Sequence, residues 1–157
     1  MTPHNESCRW RIAIAAALLL LMAPTVHGEP PAVLDALFAG ERLTIERDAL
    51  IARAELPPDQ DFRVVEVDRD AHTSHHVVAI RRREQPHRHE RHDLLVVLLR
   101  GHGSMLLGDQ ERPLGVGSIL YVPRGTPHAF RNTSAQPAVA YAVYTPPFDG
   151  TDRTPID

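Results

Sequence analysis

Pro86 to Asp93 reads PHRHERHD, placing three histidines, a glutamate and an aspartate within eight positions. Imidazole nitrogens and carboxylate oxygens are the side-chain atoms that hold divalent transition metals. The stretch is therefore either part of a metal centre or a polar loop that happens to be rich in histidine. His87 and His89 stand two apart. On an extended strand alternate residues share a face, which lets both rings enter one cavity.

A second segment completes the pattern. GSILYVPRGTPHAFRN, Gly117 to Asn132, satisfies G-x5-P-x-G-x2-H-x3-N without departure. Five fixed residues at fixed spacings resemble the second motif of the cupin superfamily, small β-barrels that commonly hold a divalent metal. Physically, Gly117 turns the chain into a strand, Pro123 and Gly125 turn it out, His128 returns facing the interior and Asn132 ties down a strand end. The family's first motif is G-x5-H-x-H, a glutamate three or four residues on, and a glycine after six more. His87 and His89 fit it, but Arg81 stands at the first glycine. The shorter spacing puts Asp93 at the glutamate position, whereas counting back from Gly101 puts Leu94 there.

The resemblance implies one divalent ion and two alternative ligand sets. The first is His87, His89, His128 and Asp93, and it is preferred because a carboxylate at a strand start beside two ligands needs a partner. The second is the three histidines alone. Both leave coordination positions open for a ligand. Imidazole and carboxylate suit Mn, Zn, Cu, Fe and Ni alike, and uptake outside the cytoplasm shifts the expectation from labile ferrous iron towards Mn, Zn or Cu. Glu90 and His92 fall between the ligand positions and are expected at the surface or supporting a ligand. His72, His75 and His76, in HTSHH, read as a turn entering a strand, and His102 as turn surface. Strict alternation puts Arg81 and Arg83 on the face of His87 and His89, where a guanidinium suits a carboxylate-bearing ligand. They are the expected substrate-binding residues, against a reading in which they are solvated or paired with acids such as Glu84.

These residues need a scaffold, and the chain supplies it after a leader. Arg9 and Arg11 precede an apolar run, Ile12 to Ala23, followed by PTVHGEP, which is the layout of a secretory signal peptide over residues 1–28. The run is short for a bilayer span and no second one follows. Export to the periplasm or beyond, without a stable membrane anchor, is expected. Cys8, the only cysteine, lies before the run, so the exported domain builds its core without disulfides. Removing Arg9, Arg11 and Glu6 from 17 basic and 20 acidic residues leaves a net charge of −4, and no nucleic-acid footprint.

Pro31 to Ala39 is predicted as a short N-terminal helix closed by Gly40, within a lead-in over residues 29–60 that breaks at LPPDQD. Glu41 to Glu55 reads equally as helix or strand. From Phe62 onward short β-branched and aromatic runs recur between Gly, Pro, Asn and Asp, with GDQ as a hairpin turn. The fold class expected over 61–145 is all-β, an antiparallel β-barrel or jelly roll. The proline-rich tail, 146–157, is expected to run extended over the outside. DLLVVLL is apolar on both faces, so its outer face meets a second layer or a second subunit, and a homodimer is expected.

Function lives in the site, and many chemistries share this barrel. The leading expectation is a metal-dependent oxygenase acting on a small organic acid or aromatic compound, with an isomerase as a related reading. The alternative is a module that captures a metal or small ligand without turnover. No acid, base or nucleophile beyond the ligands stands out in the sequence.

Overall fold

A computed structural model describes residues 33–156. The leader-like segment, residues 1–28, lies outside them, as do Pro31 and Ala32 of the predicted helix. The rest of that helix is a strand, β1 (Val33–Phe38), paired antiparallel with β2 (Glu41–Glu46). Ala39 and Gly40 form the two-residue turn, with φ of 49° and 88°. Positive φ at both central positions is the requirement of a type I′ hairpin. Gly40 thus does adopt the left-handed conformation, in a hairpin rather than a helix cap. The one helix of the described residues, α1 (Arg47–Arg53), lies in the stretch left open between helix and strand.

Two five-stranded antiparallel sheets follow, face to face rather than closed into a barrel. The first has the order β3 (Phe62–Arg69), β4 (Ser74–Ile80), β11 (Ala138–Thr145), β6 (Asp93–Arg100), β9 (Ile119–Val122). The second has the order β12 (Thr154–Pro155), β5 (His87–Arg88), β10 (His128–Asn132), β7 (Gly103–Leu107), β8 (Gln110–Leu114). The GDQ turn joins β7 to β8, pairing Leu107 with Gln110 across Gly108 and Asp109. His72 and Thr73 donate their N–H groups to the Asp70 carboxylate, a turn that delivers the chain into β4 as expected.

Alternation along the strands builds two cores. Val78, Ile80, Leu94, Leu98, Ala140, Ala142 and Tyr144 of the first sheet meet Met105 and Phe130 of the second. The opposite face of β4 and β11, with Val77, Ala79 and Val139, packs against Ile45, Leu50 and Ala54 of the hairpin and helix. DLLVVLL is explained in part by this layering. Leu94 and Leu98 face the inter-sheet core and Leu99 packs under the helix layer, while Leu95 stays 40% exposed.

The tail runs extended and mostly exposed, and it is also tied into the second sheet. Thr154 and Pro155 pair with Arg88 and His87, adding an edge strand, the one place in a sheet where proline is tolerated. The Ile156 N–H donates to the Pro86 carbonyl. The segment therefore runs largely exposed, while Phe148, Gly150 and Arg153 close one side of the space between the sheets and Asp152 is buried beneath it.

Candidate metal centre

His87 opens β5 and His128 opens β10, and the two strands pair antiparallel with these residues directly opposite. His89 follows β5 by one residue on the same face as His87. The result is a group of three buried histidines whose ligand atoms all lie within 4.8 Å of one another. The ring centroids are 4.3 Å apart for His87 and His128, 5.2 Å for His87 and His89, and 5.3 Å for His89 and His128. The Gly125 N–H, freed by a φ of 76°, donates to the His89 carbonyl and ties the turn of one motif to the ligand strand of the other. Asn132 donates to the Arg81 and Gln136 carbonyls, fixing the strand end as its spacing predicted.

Each ring is oriented by a carbonyl. Nδ1 of His87 lies 3.0 Å from the Gln85 oxygen, Nδ1 of His128 lies 3.0 Å from the Thr126 oxygen, and Nδ1 of His89 meets the Asp152 oxygen. A carbonyl only accepts, so each Nδ1 carries the proton and each Nε2 presents a lone pair. Arg153 Nη2 also approaches His87 Nδ1, at 3.2 Å, and the Gln85 oxygen, at 3.3 Å. Two donors at one carbonyl are compatible, since it has two lone pairs.

The rings are also held neutral. Burial, then the neighbouring His128 and Arg153, lowers His87 to about 3. Burial lowers His128 to about 4, and burial likewise lowers His89. A metal requires deprotonated imidazole, so three neutral rings with fixed tautomers fit a divalent ion.

The fourth proposed ligand lies elsewhere. Both oxygens of Asp93 are taken by Arg124, through its backbone N–H (2.9 Å), Nε (3.2 Å) and Nη2 (2.7 Å). These contacts lower the Asp93 carboxyl to about 2. Leu94, 5% exposed, faces the cavity in its stead. The register therefore follows the Gly101 count, and of the two ligand sets the three-histidine one is the set the structure assembles.

Arg81 and Arg83 are not at the site. β4 ends at Ile80, and the bend after it breaks the alternation that would have carried both arginines inward. Arg81 donates instead to the Gln60, Leu56 and Pro57 carbonyls, and Arg83 bridges to Arg131 on the outside of the cavity.

The histidines stand at the wall of a cavity of about 260 Å³ between the sheets, lined largely by aliphatic and aromatic side chains. Its other polar lining groups are Glu84, Tyr144 and Arg153. In the sequence Glu84 reads only as a partner for arginines. Its Oε2 accepts the Phe130 N–H at 3.1 Å, and burial raises its pKa.

Behind His89 stands Asp152, unseen in the sequence because it lies far along the chain in a segment without periodicity. Its carboxylate accepts the N–H groups of Glu90 (2.9 Å) and Arg91 (2.8 Å) and meets His92 Nδ1 at 2.5 Å. His92 thus supports a ligand loop, whereas Glu90 is exposed and pairs with Arg88. His102 is exposed beside Thr133.

A sequence-family profile described as "Cupin domain" matches residues 72–144. An uncharacterized protein of Aquifex aeolicus (strain VF5) is 31% identical over 98 residues, covering 62% of this chain and 80% of that one. Among solved structures, TT1209 from Thermus thermophilus superposes with a TM-score of 0.57 at 27% identity, over 63% of this chain and 95% of that one. Pac13 of Streptomyces, described as a nucleoside dehydratase, superposes with a TM-score of 0.54 at 17% identity, over 68% and 87% respectively, a likeness of fold alone.

Proposed function

The chain belongs to the cupin family, and on that premise we propose that it is an exported metal-dependent enzyme acting on a small organic acid or aromatic compound, with an oxygenase as the leading class. The observation that carries this reading is the convergence of three unprotonated Nε2 atoms, with no carboxylate among them, on a largely apolar cavity. His87, His89 and His128 would hold the ion. A divalent ion bound by three neutral rings keeps its full charge and open positions, and supplies a Lewis acid that polarises a ligand oxygen or binds dioxygen.

The chain's own residues do the rest. The aliphatic wall excludes water, and Leu94 denies the ion a fourth protein ligand. Glu84 is a carboxyl that burial keeps in its protonated form to higher pH than usual, so it can donate a proton or hydrogen bond to a ligand in the cavity. That group supports proton transfer, and so the isomerase reading within the same site.

The test is oxygen uptake together with product analysis on a panel of small organic acids and phenols, using protein loaded separately with Fe, Mn, Zn, Cu and Ni. Uptake with one metal and one substrate class supports the oxygenase. Product without uptake moves the reaction to isomerase chemistry. Tight ligand binding with no turnover under any metal leaves a capture module.

Export rests on the leader pattern of residues 1–28, and the expected compartment is the periplasm or the exterior. Among the described residues no helix is long and apolar enough to cross a membrane. A homodimer is proposed through the outer face of the first sheet near edge strand β9, where Leu95, Ile119 and Tyr121 are 40%, 69% and 57% exposed. A monomer mass by light scattering would remove it.

A further inference from the structure

Among the described residues the cavity has one cationic group on its lining, and it comes from the tail. Arg153 is exposed yet lines the interior, so its side chain stands at the mouth. Phe62, also at the rim, lies beneath the guanidinium carbon, 5.9 Å from the ring centroid. Most arginines near the site are already satisfied. Arg91 pairs with Asp149, Arg124 with Asp93 and Arg88 with Glu90, while Arg81 is spent on three carbonyls. Among the described residues no carboxylate lies within ion-pair distance of Arg153, whose contacts are the Gln85 oxygen and the rear of the His87 ring.

Its position is fixed. Asp152, the preceding residue, is pinned by two backbone N–H groups and His92, and Thr154, the following one, is paired with Arg88. A guanidinium held at an apolar mouth with unused donors matches a planar anion through two parallel hydrogen bonds. Behind it the wall is aliphatic and aromatic, so the rest of the ligand must be apolar. A second negative charge against that wall, short of the three histidines, would be buried without a partner, at a high cost in desolvation. Burial raises the pKa of Glu84, the other carboxyl group on the lining, against the opposing pull of the Phe130 N–H and Arg153.

Building on the reading of the site as a metal-dependent centre for a small organic molecule, we propose that its ligand is a monocarboxylate with a compact apolar body, anchored by its carboxylate to Arg153 and extending into the cavity towards the three histidines.

The test uses Zn-loaded protein and calorimetric titration with three acids, benzoate, phenylacetate and hexanoate, against their amides, which keep the shape and lose the charge. At least one acid is expected to bind tenfold or more tightly than its amide. Arg153→Gln should weaken that acid at least tenfold, and Arg153→Lys, which keeps charge but not the planar fork, should restore part of the loss. At saturating Zn the Arg153→Gln protein should retain the metal content of the unaltered protein, with circular dichroism unchanged, so that the loss of acid binding is read on a loaded site. Acids that bind no better than their amides, no binding by any acid, or an Arg153→Gln protein with undiminished binding would each overturn the proposal. Failure of the metal reading looks different: Zn would not bind, while acid binding would still depend on Arg153.

Discussion

Asp152→Asn isolates the contribution of the tail to the metal centre. The carboxylate touches no ligand directly. It holds the backbone of residues 90–92, and its own main-chain carbonyl accepts the His89 Nδ1 proton. Burial opposes ionisation of this carboxyl, but hydrogen bonds from His92, Arg91 and Glu90 outweigh it and hold the pKa at about 2, against an ordinary 3.8. A depression of that size corresponds to about 2 kcal/mol favouring the ionised form in the folded state. Because the folded pKa is lowered, this contribution is complete above pH 4 and fades as the pH falls towards 2. Asparagine keeps the size, but its amide must point a donor at a donor, so the variant should lose about 2–3 kcal/mol at neutral pH. With the pin weakened, the Asp152 carbonyl no longer fixes His89, and metal affinity should fall about 10- to 100-fold, as when a ligand's supporting partner is removed. Urea unfolding and Zn competition against a chelator read the two effects. The pin would be refuted by unchanged affinity together with unchanged stability. A stability loss that persists undiminished at pH 2.5 would refute its electrostatic origin.

The remaining predictions bear on the ligand set. Ala at His87, His89 or His128 should each abolish stoichiometric metal binding while leaving the β-sheet circular dichroism intact, and full metal content in two of the three would remove the site. Asp93→Asn should change metal affinity by less than about twofold, because Arg124 already occupies both oxygens, and a tenfold loss would restore Asp93 as a ligand. Leu94→Glu should tighten metal binding at a cost of ~3 kcal/mol in the metal-free protein, where the new carboxyl is buried unpaired; unchanged Zn competition would show that the position does not reach the ion. Burial lowers His87 and His128 to about 3 and 4, so the unfolded chain binds more protons below pH 6.5. Stability of the metal-free protein should therefore fall as the pH drops from 6.5 towards 4, and a flat urea midpoint across that range would contradict it.

How far the site could be read in advance depended on chain distance. His87, His89 and His128 were legible because two short motifs fix their spacing and a strand fixes their face. Asp93 and Leu94 were not separable, since a slip of one residue exchanges inward and outward faces and only the pairing with β9 and β11 sets the register. Arg81 and Arg83 misled because alternation was extended past the true end of β4 at Ile80. The segment 33–38 misled because its apolar spacing satisfies a short helix as well as a strand, and the Ala39–Gly40 hairpin decided it. Arg153, Asp152 and Phe148 carried no local signal. Proline excluded their segment from a central strand, but not from an edge strand that turns side chains inward.

The pairing of β12 with β5 sets an order in time. A chain emerging amino-end first presents His87 and His89 early, His128 later, and the residues that hold His89 and close the cavity later still. Until residues 148–155 have left the ribosome, the two sheets can meet but the ligand loop stays unpinned and the mouth open. A metal centre would thus be firm only once residue 155 is in place, and any nick that detaches this segment should yield a folded sandwich with a loose centre.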